Sequence, residues 1–233
     1  GKSSFIFGDT VAPKINELLP SVSHSVIHNS VDSELFRPWV VTSPVLPPNY
    51  INIGIIGNFQ KRKGHEDLIK AIALLSPVHQ NILVHMIGSD FGSERREGVL
   101  KRMVKQEGLD RFFVFHGYQH DVKKYLNELD IFVCASHEEA FPMSILEAMA
   151  FQLPIASTWV NGIPEAVNDK QNGLLFAPKS PQNMADALKK LIENTEMRNR
   201  YGENSRRKVA NSFSHEKFKM QISEFYENLR IDK

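Results

Sequence analysis

The sequence predicts an α/β protein with a parallel sheet, on three observations. Apolar runs of roughly four to eight residues alternate with helix-like segments of about ten, as in successive βαβ units. From Pro181 onward no strand-like run remains, only amphipathic helical spacing. The chain has 233 residues and 42% hydrophobic content, enough for one large domain or two small ones with a packed core. The expected fold is a doubly wound, Rossmann-like sheet with a helical C-terminal tail.

In chain order, "SFIFG" (4–8) is an aromatic and β-branched run closed by a glycine, and "HSVIHN" (24–29) a second short strand candidate. Pro38, Pro44, Pro47 and Pro48 make the next stretch an extended connector, since proline fixes φ and removes a ladder donor. Strand "INIGIIGNF" (51–59) is followed by helix "EDLIKAIALL" (66–75), strand "NILVHMIG" (81–88) by helix "REGVLKRMVKQEG" (96–108). Strand "FFVFHG" (112–117) precedes helix "DVKKYLNEL" (121–129), and strand "DIFVCAS" (130–136) precedes helix "MSILEAMAF" (143–151). Strands "PIAST" (154–158) and "GLLFA" (173–177) complete the sheet. The tail comprises "PQNMADALKKLIEN" (181–194), "EMRNRYGENSRRKVANS" (196–212) and "SHEKFKMQISEFYENL" (214–229).

Composition narrows the function. Lys plus Arg number 28 and Asp plus Glu 27, a net charge of +1 that argues against a general nucleic-acid binder. The one cysteine, Cys134, lies in an apolar run; it suits a reducing compartment, so a cytoplasmic location is expected. No apolar run reaches the ~20 residues of a membrane helix. The opening "GKSSFIFGDT" lacks a signal-peptide pattern and an initiator methionine, so the chain reads as a piece of something longer. Its "GKS" has no upstream glycine and strand to make a phosphate loop. H-E-x-x-H, C-x-x-C, D-x-D, G-x-S-x-G and G-x-G-x-x-G are all missing, so no metal site is expected.

Ligands of doubly wound sheets bind beyond the carboxyl ends of the strands. After the third strand candidate, Gly54 and Gly57 are expected to let backbone approach a ligand. Asn58 follows, and Lys61, Arg62 and Lys63 crowd the turn before a helix. Lys63, beside Gly64, is the better anion contact, while Lys61 and Arg62 also fit a solvated basic loop. Gly88 and Ser89 open the loop "SDFGSE", and Tyr118 and Gln119 leave the next strand. His85 and His116 lie within strands and read as structural.

The next loop is "SHEEAFPMSILEAMAFQLP" (136–154). Pro142 suits the first turn of a helix, whose free N–H groups and dipole attract a phosphate. Glu139 lies just before that turn, with His137 beside it. Glu147 sits inside an otherwise apolar helix, where an unpaired carboxylate costs on the order of several kcal/mol. Ser144 and Glu147 have capping-box spacing, but Pro142 sets the helix start earlier and the surroundings are too apolar for a cap.

These residues resemble a family. The segment "EEAFPMSILEAMAFQLPIASTWVNGIPEAVNDKQNGLLF" (138–176) is similar to the hallmark of family-four retaining glycosyltransferases of the GT-B fold, with Glu139 and Glu147 as its E-x7-E pair. "HNSVDSELFRP" (28–38), "GNFQKRKGHEDLIKAI" (57–72) and "FVFHGYQHDVKKYLNELDIFVCAS" (113–136) match further family segments in order. The resemblance runs over roughly residues 4 to 230.

The resemblance implies roles. Glu147 accepts hydrogen bonds from the two ribose hydroxyls of a nucleotide, and Glu139 contacts the donor sugar. Backbone around Phe141, Pro142, Met143 and Ser144 faces phosphate and sugar. Lys63 offsets charge on the departing diphosphate, so no metal and no cofactor is required beyond a UDP- or GDP-linked sugar substrate. Gly57, Asn58, Arg62, Gly88, Ser89, Tyr118 and Gln119 line the rest of the donor site, with base recognition near Tyr118 and Gln119. Asn58 stands where the family has arginine, and Pro142 where it has glycine.

Residues 1–22 are expected to be the last strand and helix of an N-terminal acceptor domain, 23–211 the donor-binding domain, and 212–233 a helix crossing back. The expected function is donor binding for metal-independent, retaining transfer to a saccharide or lipid-linked acceptor, in polysaccharide or lipopolysaccharide biosynthesis. The isolated chain is expected to be inactive. The acceptor and any peripheral membrane association belong to the missing domain. Two alternatives stay open: another GT-B enzyme such as a phosphorylase or epimerase, and a non-catalytic nucleotide- or sugar-binding module.

Overall fold

The computed structural model describes residues 3–6, 17 and 23–231. Strands β1 (Ser3–Ile6) and β2 (Ser23–Val26) pair in parallel. Most of the segment expected to be an acceptor-domain remnant lies outside the described residues. Beyond the proline-rich connector come β3 (Ile51–Ile56), α1 (His65–Leu75), β4 (Ile82–Ile87), α2 (Glu97–Gln106) and β5 (Phe113–Gly117). Then follow α3 (Lys123–Leu126), β6 (Ile131–Cys134), α4 (Met143–Ala150), β7 (Ile155–Thr158), α5 (Ile163–Ala166) and β8 (Gly173–Phe176). The tail is α6 (Pro181–Glu193), α7 (Thr195–Ser212) and α8 (His215–Ile231).

Strands β3 to β8 form one six-stranded parallel sheet in the order β5-β4-β3-β6-β7-β8. The chain starts at the centre, winds outward through β4 and β5, then returns to pair β6 with β3 and winds the other way. The carboxyl ends of β3 and β6 therefore flank the point where the winding reverses, the ligand crevice of such sheets.

Each face of the sheet has its own core. On one, Leu68, Ile69 and Ile72 of α1, Val104 of α2 and Leu188 and Leu191 of α6 cover Ile53, Val84, Met86 and Val133. On the other, Leu126 of α3, Ile145, Leu146 and Met149 of α4 and Val209 of α7 cover Phe132 and Ile155. A fully buried Leu or Ile contributes about 1.5–3 kcal/mol, so the strand runs are held by both layers. Gly54 belongs to this packing rather than to a ligand loop: a Cβ there would lie 2.2 Å from Leu129 Cδ1.

Element boundaries depart from the sequence pattern where side chains are used elsewhere. The helix expected over 121–129 is a single turn, Lys123–Leu126. Asn127 and Glu128 instead hold the connector: Asn127 bonds both backbone groups of Trp39, and the Glu128 carboxylate accepts from Val45 and Leu46 N–H. Phe112 ends a 3-10 turn, so β5 begins at Phe113.

One polar chain crosses the core. Asn52 of β3, His85 of β4 and His116 of β5 are linked by bonds of 2.9 Å at each step, and Asn52 Nδ2 donates to Pro47 O at 3.1 Å. Burial holds the His85 imidazole down at about 4 and also lowers His116. At the far end, Val31 N–H donates to Phe213 O at 2.9 Å, beside a bridge between Val31 and Ser214. Helix α8 has no buried residue between His215 and Asn228. Among the described residues no helix is long and apolar enough to cross a membrane.

Candidate functional site

The loops leaving β3, β4 and β5 meet in a cleft of about 360 Å³ that includes Gly57, Asn58, Gly88, Ser89, Tyr118 and Gln119. The backbones are knitted there: Gly57 N–H donates to Ile87 O, Phe59 N–H to Ser89 O and Gly88 N–H to Gly117 O, each near 3 Å. Gly88 has φ +152, and a Cβ on it would lie 1.9 Å from Gly57 O, so only glycine closes these two loops. Tyr118 is 66% exposed at the rim. The Gln119 amide nitrogen donates to His116 O at 2.7 Å, which anchors the side chain.

Asp90 and Phe91 of the "SDFGSE" loop also line this cleft, and Phe91 is an addition to the residues expected there. Asp90 Oδ1 caps α2, accepting from Arg96 N–H and Glu97 N–H at 2.8 and 2.7 Å. Phe91 is 56% exposed. A large apolar residue in the Gly-Ser-Asp loop "SDFGSE" was the available signal.

Between β3 and β6 the chemistry changes. Residues Lys61–Lys63 form a 3-10 turn, and Gly64 with φ +69 passes so close to β6 that a Cβ would lie 2.0 Å from Ala135 O. That approach brings the Lys63 ammonium onto the Glu139 carboxylate as a mostly shielded ion pair. Ser136 Oγ lies 3.5 Å from the same Glu139 oxygen. Arg62 does not join them; it donates to Glu138 O at 3.3 Å and to Gln60 Oε1 at 3.1 Å. His137 is likewise engaged elsewhere, 2.6 Å from Asp67 of α1.

The acidic loop is tied from both sides. Thr158 Oγ1 donates to Ser136 O at 2.6 Å, Gly162 N–H to Ala140 O at 3.1 Å and Asn29 Nδ2 to Phe141 O at 3.3 Å. The Phe141 ring is buried against His28 and Phe213, so only its backbone is available to a ligand. Pro142 stands one residue ahead of α4 in an extended conformation, not within the first turn. No side chain caps α4, and Ser144 lies inside its first turn. The capping-box alternative therefore fails, and the N–H groups of Met143 and Ser144 point out of an uncapped helix start.

Glu147 lies one turn further along α4. Its carboxylate has no hydrogen bond or ion pair among the described residues, and burial pushes its pKa up. A shielded carboxylate with two free oxygens is an acceptor for a pair of neighbouring hydroxyls. Two buried polar atoms between the end of β3 and the start of α1 lack partners, Asn58 Oδ1 and His65 Nε2. Burial, with Lys63 and Arg96 near, lowers His65 to about 3, so its ring is neutral. No group of three or more His, Cys, Asp or Glu among the described residues is arranged to hold a metal ion. The starts of α1 and α4, at His65 and Met143, carry the positive ends of their helix dipoles beside the Lys63–Glu139 pair.

Residues 42–208 match the family model described as Glycosyl transferases group 1. N-acetyl-alpha-D-glucosaminyl L-malate synthase of Bacillus anthracis is 30% identical over 180 residues, 76% of this chain and 46% of that enzyme. The C-terminal domain of a glycosyl transferase group 1 family protein of Francisella tularensis superposes with a TM-score of 0.72 at 31% identity, covering 79% of this chain and 99% of that domain. An Anabaena protein, HepE, solved in complex with UDP-glucose, is alike in fold: TM-score 0.82, 22% identity, 96% of this chain and 64% of that one. The chain spans about half the length of the full-length relatives it matches.

Proposed function

The chain belongs to the glycosyl transferases group 1 family, and from that premise we propose that residues 23–211 bind the nucleoside diphosphate sugar for a retaining, metal-independent glycosyl transfer. The observation that carries this reading is the unpaired Glu147 carboxylate, one turn inside an uncapped helix whose start adjoins the Lys63–Glu139 pair. A ribose diol satisfies Glu147, a diphosphate satisfies Lys63 and the helix N–H groups, and a sugar hydroxyl satisfies Glu139. The base occupies the cleft between Gly88 and Gln119.

In the transfer, the bond from the anomeric carbon to the diphosphate oxygen breaks and one to an acceptor hydroxyl oxygen forms. The acceptor's proton leaves with the diphosphate. Lys63 and the α4 start lower the barrier because the charge on the departing diphosphate grows where they point. Glu139 orients the sugar. The acceptor is a saccharide or lipid-linked saccharide held by an N-terminal domain, of which residues 1–22 are the end. Helix α8 leads back to that domain.

Asn58 favours a second reading. With no arginine at this position the site is weaker in positive charge, as a nucleotide- or sugar-binding module without transfer would tolerate. Calorimetry of the chain against UDP, GDP and ADP and their sugar derivatives, with and without EDTA, tests the donor site. UDP is the first probe because the Anabaena relative was solved with UDP-glucose. Binding that persists in EDTA is expected; binding lost without a divalent ion overturns the metal-free reading. Turnover by the full-length protein separates enzyme from module.

A further inference from the structure

Along the open edge of the sheet, β8 and α6 border a groove of about 590 Å³, a size typical of ligand-binding clefts, roughly 300–1,000 Å³. Trp159, the residue after β7, lies at its mouth and is 59% exposed. Leu175 and Pro178 supply apolar wall. Asn183, Asp186 and Lys190 recur at helical spacing along one face of α6, opposite Asp169 and Lys170 from the turn before β8.

Two features define the occupant. An added β-strand is disfavoured, because two outward backbone groups of this edge are already used: Leu175 N–H donates to Asp169 Oδ1 at 2.9 Å, and Lys170 N–H donates to Gly173 O at 2.8 Å. The charge is balanced, with one carboxylate and one ammonium group on each wall, so neither a polyanion nor a polycation gains by binding. The polar groups remain available. Lys170 and Lys190 form no ion pair among the described residues, and Asp169 and Asp186 each keep an oxygen without a partner.

An exposed indole, apolar wall and a neutral mixture of donors and acceptors match a ring with one apolar face and a hydroxyl edge. An indole packs against the C–H face of a pyranose, and hydroxyls bond equally to carboxylates, amides and ammonium groups. We propose that this groove binds an uncharged saccharide chain. The groove opens at the same end of the sheet as the Glu139 loop, one strand away, since β7 neighbours β6. A glycan lying in it runs toward that loop. The inference does not depend on the donor-site reading, which UDP titration tests separately.

The test is titration of the chain with maltotetraose, cellotetraose, laminaritetraose and chitotetraose, followed by saturation-transfer NMR. Tryptophan fluorescence is read in a Trp39→Phe background, because the chain has 2 tryptophans. At least one tetrasaccharide is expected to saturate in the millimolar range. Trp159→Ala should weaken it about tenfold or more, a loss of about 1.4 kcal/mol, with UDP binding unchanged. Lys190→Ala, on the exposed face of α6, should weaken it in the same direction without altering the fold. If none of the four binds below about 10 mM, or binding survives both substitutions within about twofold, the proposal is wrong.

Discussion

Lys63 and Glu139 stand 76 residues apart in sequence and share an ion pair where the ends of β3 and β6 come together. A diphosphate that recruits Lys63 has to displace Glu139 from it. Glu139→Gln weakens that competitor while keeping the shape, so a free nucleoside diphosphate should bind about three- to tenfold more tightly. Lys63→Met should weaken binding by about tenfold or more. Calorimetry with UDP reads both. Equal affinities in wild type and Glu139→Gln would mean the pair does not compete with the ligand.

Glu147 should trade stability for binding. Its raised pKa means that ionisation is opposed in the folded state, so the contribution present at low pH is lost as pH rises through the folded pKa. At neutral pH, Glu147→Gln should therefore raise the melting temperature or leave it unchanged. Glu147→Ala should weaken nucleotide binding by about 1.5–3 kcal/mol, roughly 10- to 150-fold, with a 2′,3′-dideoxy nucleotide insensitive to the change. A variant that melts earlier yet binds normally would return Glu147 to a structural role.

Acid should destabilise the fold early. His85 and His65 are held down at about 4 and about 3 by burial, while the unfolded chain takes up their protons near 6.5. Stability is thus full above about 6.5 and falls as pH drops below it, by on the order of 3 kcal/mol for His85 alone at pH 4. Asp130 and Glu147, whose pKa values are raised by burial, act in the opposite direction as acid protonates them. Urea titrations at pH 7, 6 and 5 measure it. A flat profile would mean the histidines relax to accept protons.

Gly88→Ala should cost more than Gly57→Ala. Both glycines have φ near +150, but a Cβ at Gly88 meets Gly57 O at 1.9 Å whereas one at Gly57 meets nothing within 4 Å. Backbone strain of about 1–3 kcal/mol is common to both, and the clash adds to it only at Gly88. Denaturant midpoints should separate the two variants, with the cleft between Gly57 and Gln119 lost in Gly88→Ala alone.

Much of the sheet was legible because each strand is a short apolar run between glycine- or charge-rich loops. The strand order was not, since nothing local records that β6 returns to pair with β3 rather than β5. Glu147 was legible as a carboxylate in an apolar helix and Lys63 as a cation beside a glycine. Gly54 was misread because a glycine in a strand packs and approaches ligands with the same signature; only Leu129 against it distinguishes them. The bonds of Arg62 to Gln60 Oε1 and Glu138 O have no local signature. The tether from Asn29 to Phe141 spans 112 residues and leaves no local mark.

The bond from Val31 to Phe213 has a mechanical consequence. It brings the segment that leads into the sheet domain and the segment between α7 and α8 side by side as a two-ply stem. Torque applied at that stem is delivered to His28 and Asn29, which touch Phe141 at the base of the acidic loop. Bending of the stem is expected to reshape the loop, and a spin label at each end should record the two in step.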